Sequence, residues 1–163
     1  MQLSAYSDYA VRVLVQTALC DSGRMTVAKV AETFAISRHH LVKIVNDLGR
    51  HGYLNTHRGV GGGFTLAQAP EAIRVGDIVR LGEESETMIN CRDARNRVCR
   101  LQPACRFKSV LQEASAAFFQ VLDRYTLADL LQQPARIRAV LGMEASVAVT
   151  TTPRDVTRTK VEV

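Results

Sequence analysis

The sequence predicts a mainly α-helical fold with one small β-hairpin and a long helix towards the C-terminus. Two features predict it. Apolar residues recur at helical spacing through residues 3–50 and again through 107–125. Between these stretches, two short strand-like runs flank a turn that holds four of the ten glycines. The chain has 163 residues, 47% of them hydrophobic. That supports one domain core and argues against wholesale disorder. It is too short for a (β/α)8 barrel. No apolar run reaches the roughly 18–20 residues of a membrane-spanning helix. Asp8 and Arg12 fall where a signal peptide needs an apolar core. A cytoplasmic location is therefore expected.

The first helix spans residues 3 to about 20, with Tyr6, Ala10, Val13, Leu14, Thr17 and Ala18 recurring at helical spacing. Asp8 and Arg12 lie on other faces, and Asp21-Ser22-Gly23 stops the helix. Thr26 caps a short second helix that turns Val27, Val30, Ala31 and Phe34 inward. After Ala35-Ile36, Ser37 caps a third helix running to about Arg50. Its buried stripe is Leu41, Ile44, Val45 and Leu48. Arg38, His39, Lys43, Asn46 and Arg50 project elsewhere, so the outer face is polar and basic. Residues 53–57 and 64–67 read as the two strands, and Pro70 ends the hairpin. Residues 75–83 form another short helix.

Residues 84–105 lack a sustained period and carry a cysteine cluster, which marks a stretch that is functional or disordered. Phe107, Val110, Leu111, Ala114, Phe118, Val121, Leu122 and Tyr125 then form one apolar stripe on a long helix. Thr126 and Asp129 suggest a cap and a further turn over Leu127–Leu131. From residue 133 the turn-to-turn logic fades, and 133–163 is expected to be a disordered tail. The chain thus divides into a winged helix-turn-helix domain (1–83), a cysteine-bearing loop (84–106), a dimerisation helix (107–132) and the tail.

Charge sharpens this division. The net charge is +5, with 21 Lys and Arg against 16 Asp and Glu. Residues 24–58 carry +4 and all four histidines: His39, His40, His51 and His57. Residues 91–108 carry +5, and the remainder sums to −4. The excess therefore lies in two patches. Short helix, turn, basic-faced helix and hairpin, in that order, make a winged helix-turn-helix. The second helix of such a pair fits the major groove of double-stranded DNA. Candidate DNA-binding residues are Ser37, Arg38, His39, His40 and Lys43 on that helix, and Arg58 and Gly59 at the wing. The helix from Phe107 needs a further apolar surface, either the core of its own subunit or a second copy of the chain. A homodimer is the favoured reading because the winged domain already has a core. A two-fold dimer would present two recognition helices to a pseudo-palindromic site.

Cys91, Cys99 and Cys105 are spaced C-x7-C-x5-C. Three readings stand side by side. A thiol switch needs two cysteines. Zinc usually wants a close C-x2-4-C pair, which is missing here. An iron–sulfur cluster accepts thiolates at looser spacing, leaving one ligand from elsewhere. Arg92, Arg95, Arg97, Arg100 and Arg106 would offset cluster charge. Cys20, at the end of a helix, reads as a small buried apolar residue. No Ser/His/Asp set, phosphate-binding loop or paired-carboxylate pocket is evident, which argues against an enzyme. An iron–sulfur or zinc redox protein without DNA binding is the alternative of another class, and a DNA gel shift separates the two.

SDYAVRVL near the start, SRHHLVKIVNDLGRHGYL, the wing HRGVGGGFTLA and the cysteine loop together resemble the Rrf2 family of winged-helix repressors over residues 1 to about 132. PACRFKSVLQEA and VLDRYTLADL are similar to its nitric-oxide-sensing branch. The resemblance implies a homodimer with one iron–sulfur cluster per subunit, [4Fe–4S] favoured over [2Fe–2S], held by Cys91, Cys99 and Cys105. It also implies that Asp8 of the other subunit supplies the fourth ligand, and that nitric oxide releases promoter DNA. Lys108 stands where a sister branch, the regulators of cluster biogenesis, has a histidine. The first cysteine gap is longer than the family's usual one. A related regulator sensing iron–sulfur status or redox state is the nearest alternative.

Overall fold

The computed structural model describes residues 2–21, 23–83, 91–92 and 97–143. Helix α1 (Ala5–Ala18) is capped by the Ser4 hydroxyl, which accepts from the Ser7 amide. Its buried face is Ala10, Val13, Leu14 and Thr17. Helix α2 (Val27–Phe34) starts at Thr26, whose side chain accepts from the Lys29 amide. Helix α3 (Arg38–Arg50) buries Leu41, Ile44, Val45 and Leu48 against α1 and α2. Each stripe repeats at three- and four-residue intervals, the spacing that lines one face of a helix.

Strands β1 (Leu54–His57) and β2 (Gly63–Leu66) pair antiparallel, with Leu54 opposite Leu66 and His57 opposite Gly63. Met25 forms an isolated bridge on the outer side of β2. It exchanges backbone hydrogen bonds of 2.9 and 2.8 Å with Phe64 and is fully buried. Strand β2 is thereby joined to the loop before α2. A 3-10 turn at Pro70–Ala72 leads to α4 (Val75–Gly82), which lies along α1.

A second 3-10 turn (Gln102–Ala104) precedes α5 (Arg106–Leu122). Helix α6 (Leu127–Leu130) is held by a capping box between Thr126 and Asp129 and returns Leu127 to the core. The Leu127 amide bonds Ile73 O at 2.8 Å and the Val75 amide bonds Tyr125 O at 2.9 Å, which stitches the end of α5 to the start of α4.

Two expectations are corrected. The tail does not begin at 133, because Pro134–Val140 forms helix α7. Pro134 occupies its first turn, where a fixed φ helps and no amide is needed. Ile137, Leu141 and Met143 pack onto the core. Arg138 donates to Leu19 O at the C-terminal end of α1 and to Asp21 at 2.7 Å. The expected disorder of 144–163 lies outside the described residues. The α5 stripe also behaves differently. The helix ends at Leu122, before Tyr125, and its buried positions are Ser115 and Phe119, neither of them in the stripe. Phe107, Val110, Ala114, Val121 and Tyr125 are exposed.

Candidate nucleic-acid interface and cysteine site

The turn between α2 and α3 aims the basic helix. Ala35 adopts the left-handed conformation at φ 53°, the only non-glycine among the described residues to do so. The Ile36 side chain is buried beside it, and its amide bonds Ala31 O at 3.1 Å. Ser37 occupies the N-cap of α3 as expected, but makes no capping hydrogen bond to the helix. Ser37, Arg38, His39, His40, Lys43 and Asn46 are all exposed, on the side away from the Leu41–Leu48 stripe. The first-turn amides of α3 face no acidic side chain of their own turn. Such a terminus attracts phosphate.

Val42, which the periodicity left without a role, is 47% exposed on the same helix. An apolar side chain there can meet a thymine methyl group.

The wing tip is shaped by glycine. Gly59 and Gly61 have φ of 94° and 73°, and the Gly62 amide closes the turn onto Gly59 O at 2.9 Å. A Cβ on Gly62 would sit 2.7 Å from His57 O, so no larger residue fits that turn unchanged. Arg24 steadies the tip by donating to Gly61 O at 3.2 Å. Arg58 and Gly59 are exposed, as is Val60. The structure therefore places all seven candidate DNA-binding residues on exposed surface.

The cysteine site is built from a rung, a turn and a helix start. Arg92 and Val98 pair as an antiparallel bridge, and the Cys99 amide donates to Cys91 O at 2.9 Å. The Gln102 amide then bonds Cys99 O at 3.0 Å, leading into the 3-10 turn. Cys105 is the N-cap of α5, and its Sγ accepts from the Lys108 amide at 3.4 Å. A helix N-terminus favours negative charge at that point. All three cysteines line one cavity of about 720 Å³, together with Arg92, Arg97, Arg100 and Phe107. The expected role of Arg95 lies outside the described residues.

The donors share a cavity without closing on a point. Among the described residues no three His, Cys, Asp or Glu side chains stand at metal-holding spacing. The donor set still fits an iron–sulfur group: three soft thiol ligands, a roomy cavity, positive neighbours, and one position for an outside ligand. Asp8 sits in the first turn of α1 with its side chain 44% exposed. Its carboxylate is held by Arg12 through contacts of 2.9 and 2.8 Å, and the Arg12 guanidinium lies 5.4 Å from the centre of the Phe34 ring. Arg12 thus touches both the candidate ligand and the last residue of α2.

Sequence reasoning missed the tie between α1 and the foot of the cysteine loop. Glu83 Oε1 accepts from the Ser4 amide at 3.0 Å and from the Ser7 hydroxyl at 2.7 Å, while Ser4 Oγ donates to Gly82 O at 2.9 Å. Burial raises the Glu83 carboxyl, but the Ser4 amide and the Ser7 and Ser4 hydroxyls outweigh it, leaving it below its ordinary 4.5. A Cβ on Gly82 would meet the Ser7 backbone nitrogen at 2.8 Å, so the two helices touch there. Small residues, SxxS and GE, were the only signal available.

A second tie joins α4 to α5. Arg80 forks onto Asp123 at 2.6 and 2.8 Å and lies 4.6 Å from the centre of the Phe119 ring. That fork holds the Asp123 carboxyl below its ordinary range.

The profile of the Rrf2 family, described as iron-dependent transcriptional regulators, matches residues 3–133. The chain belongs to the Rrf2 family. It is 46% identical over 142 residues to the HTH-type transcriptional regulator NsrR of Geobacillus kaustophilus, covering 86% of this chain and 97% of that one. It is 41% identical to NsrR of Bacillus subtilis, covering 88% and 99%. Among solved structures it is similar to T. potens IscR, with a TM-score of 0.65 and 26% identity over 85% of this chain and 91% of that one. CymR, the global cysteine regulator of B. subtilis, matches with a TM-score of 0.63 and 27% identity, covering 80% and 95%. This Rrf2 chain is thus a mainly helical winged-helix transcriptional regulator, and not an enzyme. No helix among its described residues is long and apolar enough to cross a membrane.

Proposed function

We propose that this Rrf2 regulator is a cytoplasmic, homodimeric repressor that carries an iron–sulfur cluster and leaves its promoter when nitric oxide is present. The observation that carries this reading is the gathering of Cys91, Cys99 and Cys105 on one cavity at the start of α5. The identity to NsrR-named regulators over nearly their whole length supports it.

Cys91, Cys99 and Cys105 would hold the cluster, with Asp8 of a second copy as the fourth ligand and [4Fe–4S] as the favoured type. When bound, the cluster supplies iron that reacts with nitric oxide. The rest is done by the chain. Phe107, Val110, Ala114 and Val121 leave an apolar face of α5 uncovered, which a second copy would bury. That pairing would set two copies of α3 about one helical turn of DNA apart. Ser37, Arg38, His39, His40 and Lys43 would enter the major groove, and Arg58 and Gly59 would follow the neighbouring minor groove. Release of Asp8 would return both of its oxygens to Arg12. Because Arg12 lies on Phe34, the shift would reach the turn that aims α3. A coupling of about 1.4 kcal/mol changes DNA affinity tenfold.

The test is anaerobic purification, with the visible spectrum and binding to promoter DNA measured in parallel before and after nitric oxide. Loss of cluster absorbance together with DNA release is expected. Cys91→Ala should lack both the absorbance and cluster-dependent binding. If that variant binds DNA and responds to nitric oxide normally, the reading fails.

A further inference from the structure

We propose that Cys91 and Cys99 form a reversible disulfide when no metal holds them, and that this pair, not a pair with Cys105, is a thiol switch on cluster loading. The register carries the argument. Arg92 faces Val98, so Cys91 stands opposite Cys99 one position further out, and the Cys99 amide bonded to Cys91 O at 2.9 Å holds the two backbones together there. Residues directly opposed across antiparallel strands point to the same face. Residues opposed in this way have Cα atoms about 4.5–5.5 Å apart, inside the roughly 4.4–6.8 Å that a disulfide spans. Their Cβ atoms, about 4.5–5.5 Å apart in such a pair, must close to about 3.5–4.5 Å. Among the described residues the bridge stands alone, and the 3-10 turn begins at Gln102, so no long ladder of described residues resists that closure. A bond made by drawing a rung together is readily reduced, which suits a switch better than a staple.

Cys105 is placed differently. It lies beyond the turn, and its sulfur is engaged by the Lys108 amide as the cap of α5. Cys20 packs against the core at the end of α1. Arg92, Arg97 and Arg100 line the cavity and would draw in a small anionic disulfide.

The chemistry balances with such a disulfide as oxidant. Cys99 is the more exposed thiol. As thiolate it attacks one sulfur of the small disulfide, whose S–S bond breaks and expels one small thiolate. The Cys91 thiolate then attacks Cys99 Sγ and expels the second. Two protein thiols are oxidised, the small disulfide is reduced to two thiols, and the two protons given up by the cysteines pass through water to them.

Only the effect on loading rests on the cluster reading, because the disulfide itself is detected without iron. The full-length metal-free chain is incubated with oxidised glutathione, alkylated without reduction, cut with trypsin and weighed. The expected product joins the fragment ending at Arg92 to the fragment 98–100, and Cys105→Ser gives the same product. Cys91→Ser and Cys99→Ser should stop at a glutathione adduct. Bonds to Cys105 in comparable yield, or bonds between copies, overturn the proposal. The oxidised chain should also lose iron and sulfide uptake on reconstitution, and dithiothreitol should restore it. Equal uptake with the Cys91–Cys99 bond present would remove those two residues from the cluster reading and leave the disulfide standing.

Discussion

Replacing Glu83 with Gln tests how firmly α1 is tied to the foot of the cysteine loop. One oxygen of Glu83 takes two hydrogen bonds, from the Ser4 amide and the Ser7 hydroxyl. Gln keeps the acceptor and removes the charge. A hydrogen bond to a charged group contributes about 1.5–3 kcal/mol, a neutral one about 0.5–1.5 kcal/mol. The difference is about 1 kcal/mol per bond. Glu83 is partly open to solvent, so the total for two bonds is about 1–2 kcal/mol. For a chain of this size that lowers Tm by about 2–8 °C.

The sign of the pH dependence follows from the lowered carboxyl. Its stabilisation is complete above the ordinary 4.5 and is lost as pH falls through the lower folded value. Asp123 and Asp129 also titrate low, so both proteins weaken in acid. The gap between wild type and Glu83→Gln isolates Glu83, since a protonated Glu resembles Gln. Urea unfolding of the metal-free chain at one protein concentration, from pH 7 downward, should show the gap close. A gap that is absent at pH 7, or unchanged in acid, would refute the reasoning.

Gly76→Ala would drive a Cβ onto the Asp123 carboxylate and within 2.9 Å of the Arg80 guanidinium. The α4–α5 fork must then shift, and urea unfolding should show a loss of about 1–3 kcal/mol. Val110→Asp places a charge on the uncovered face of α5. Sedimentation should find monomers, and promoter affinity should fall with the dimer. Arg58→Ala at the exposed wing should weaken promoter binding and reduce the slope of log K against log salt by about one for each phosphate that Arg58 neutralises. An unchanged slope would show that Arg58 does not touch the DNA backbone.

Local physics made most of the DNA-reading half legible. The stripes of α1 and α3, the Thr26 cap and the glycine turn each act over a few residues, so their signals stand in consecutive positions. Helix α7 was less visible because Arg136 and Arg138 interrupt the stretch. Ile137, Leu141 and Met143 become a face only once a groove exists to receive them. The α5 stripe was read correctly as apolar but could not say which side its own subunit covers. Tertiary packing chose Ser115 and Phe119, because Arg80 and Asp123 fix the rotation of α5 against α4.

The cysteine site divides along the same line. Spacing alone left a cluster, zinc and a thiol switch all open, because a loop imposes no period from which distance can be read. The fold placed the three cysteines on one cavity, put Cys105 at a helix start and set Cys91 opposite Cys99. By itself, then, the sequence determined the winged-helix order, the basic face of α3 and the kinds of donor present. Only the tertiary structure decided which donors face one another and how α1 is tied to their loop. Periodicity and capping act between neighbours in the chain, whereas a site depends on distances between residues far apart in it, and those exist only after packing.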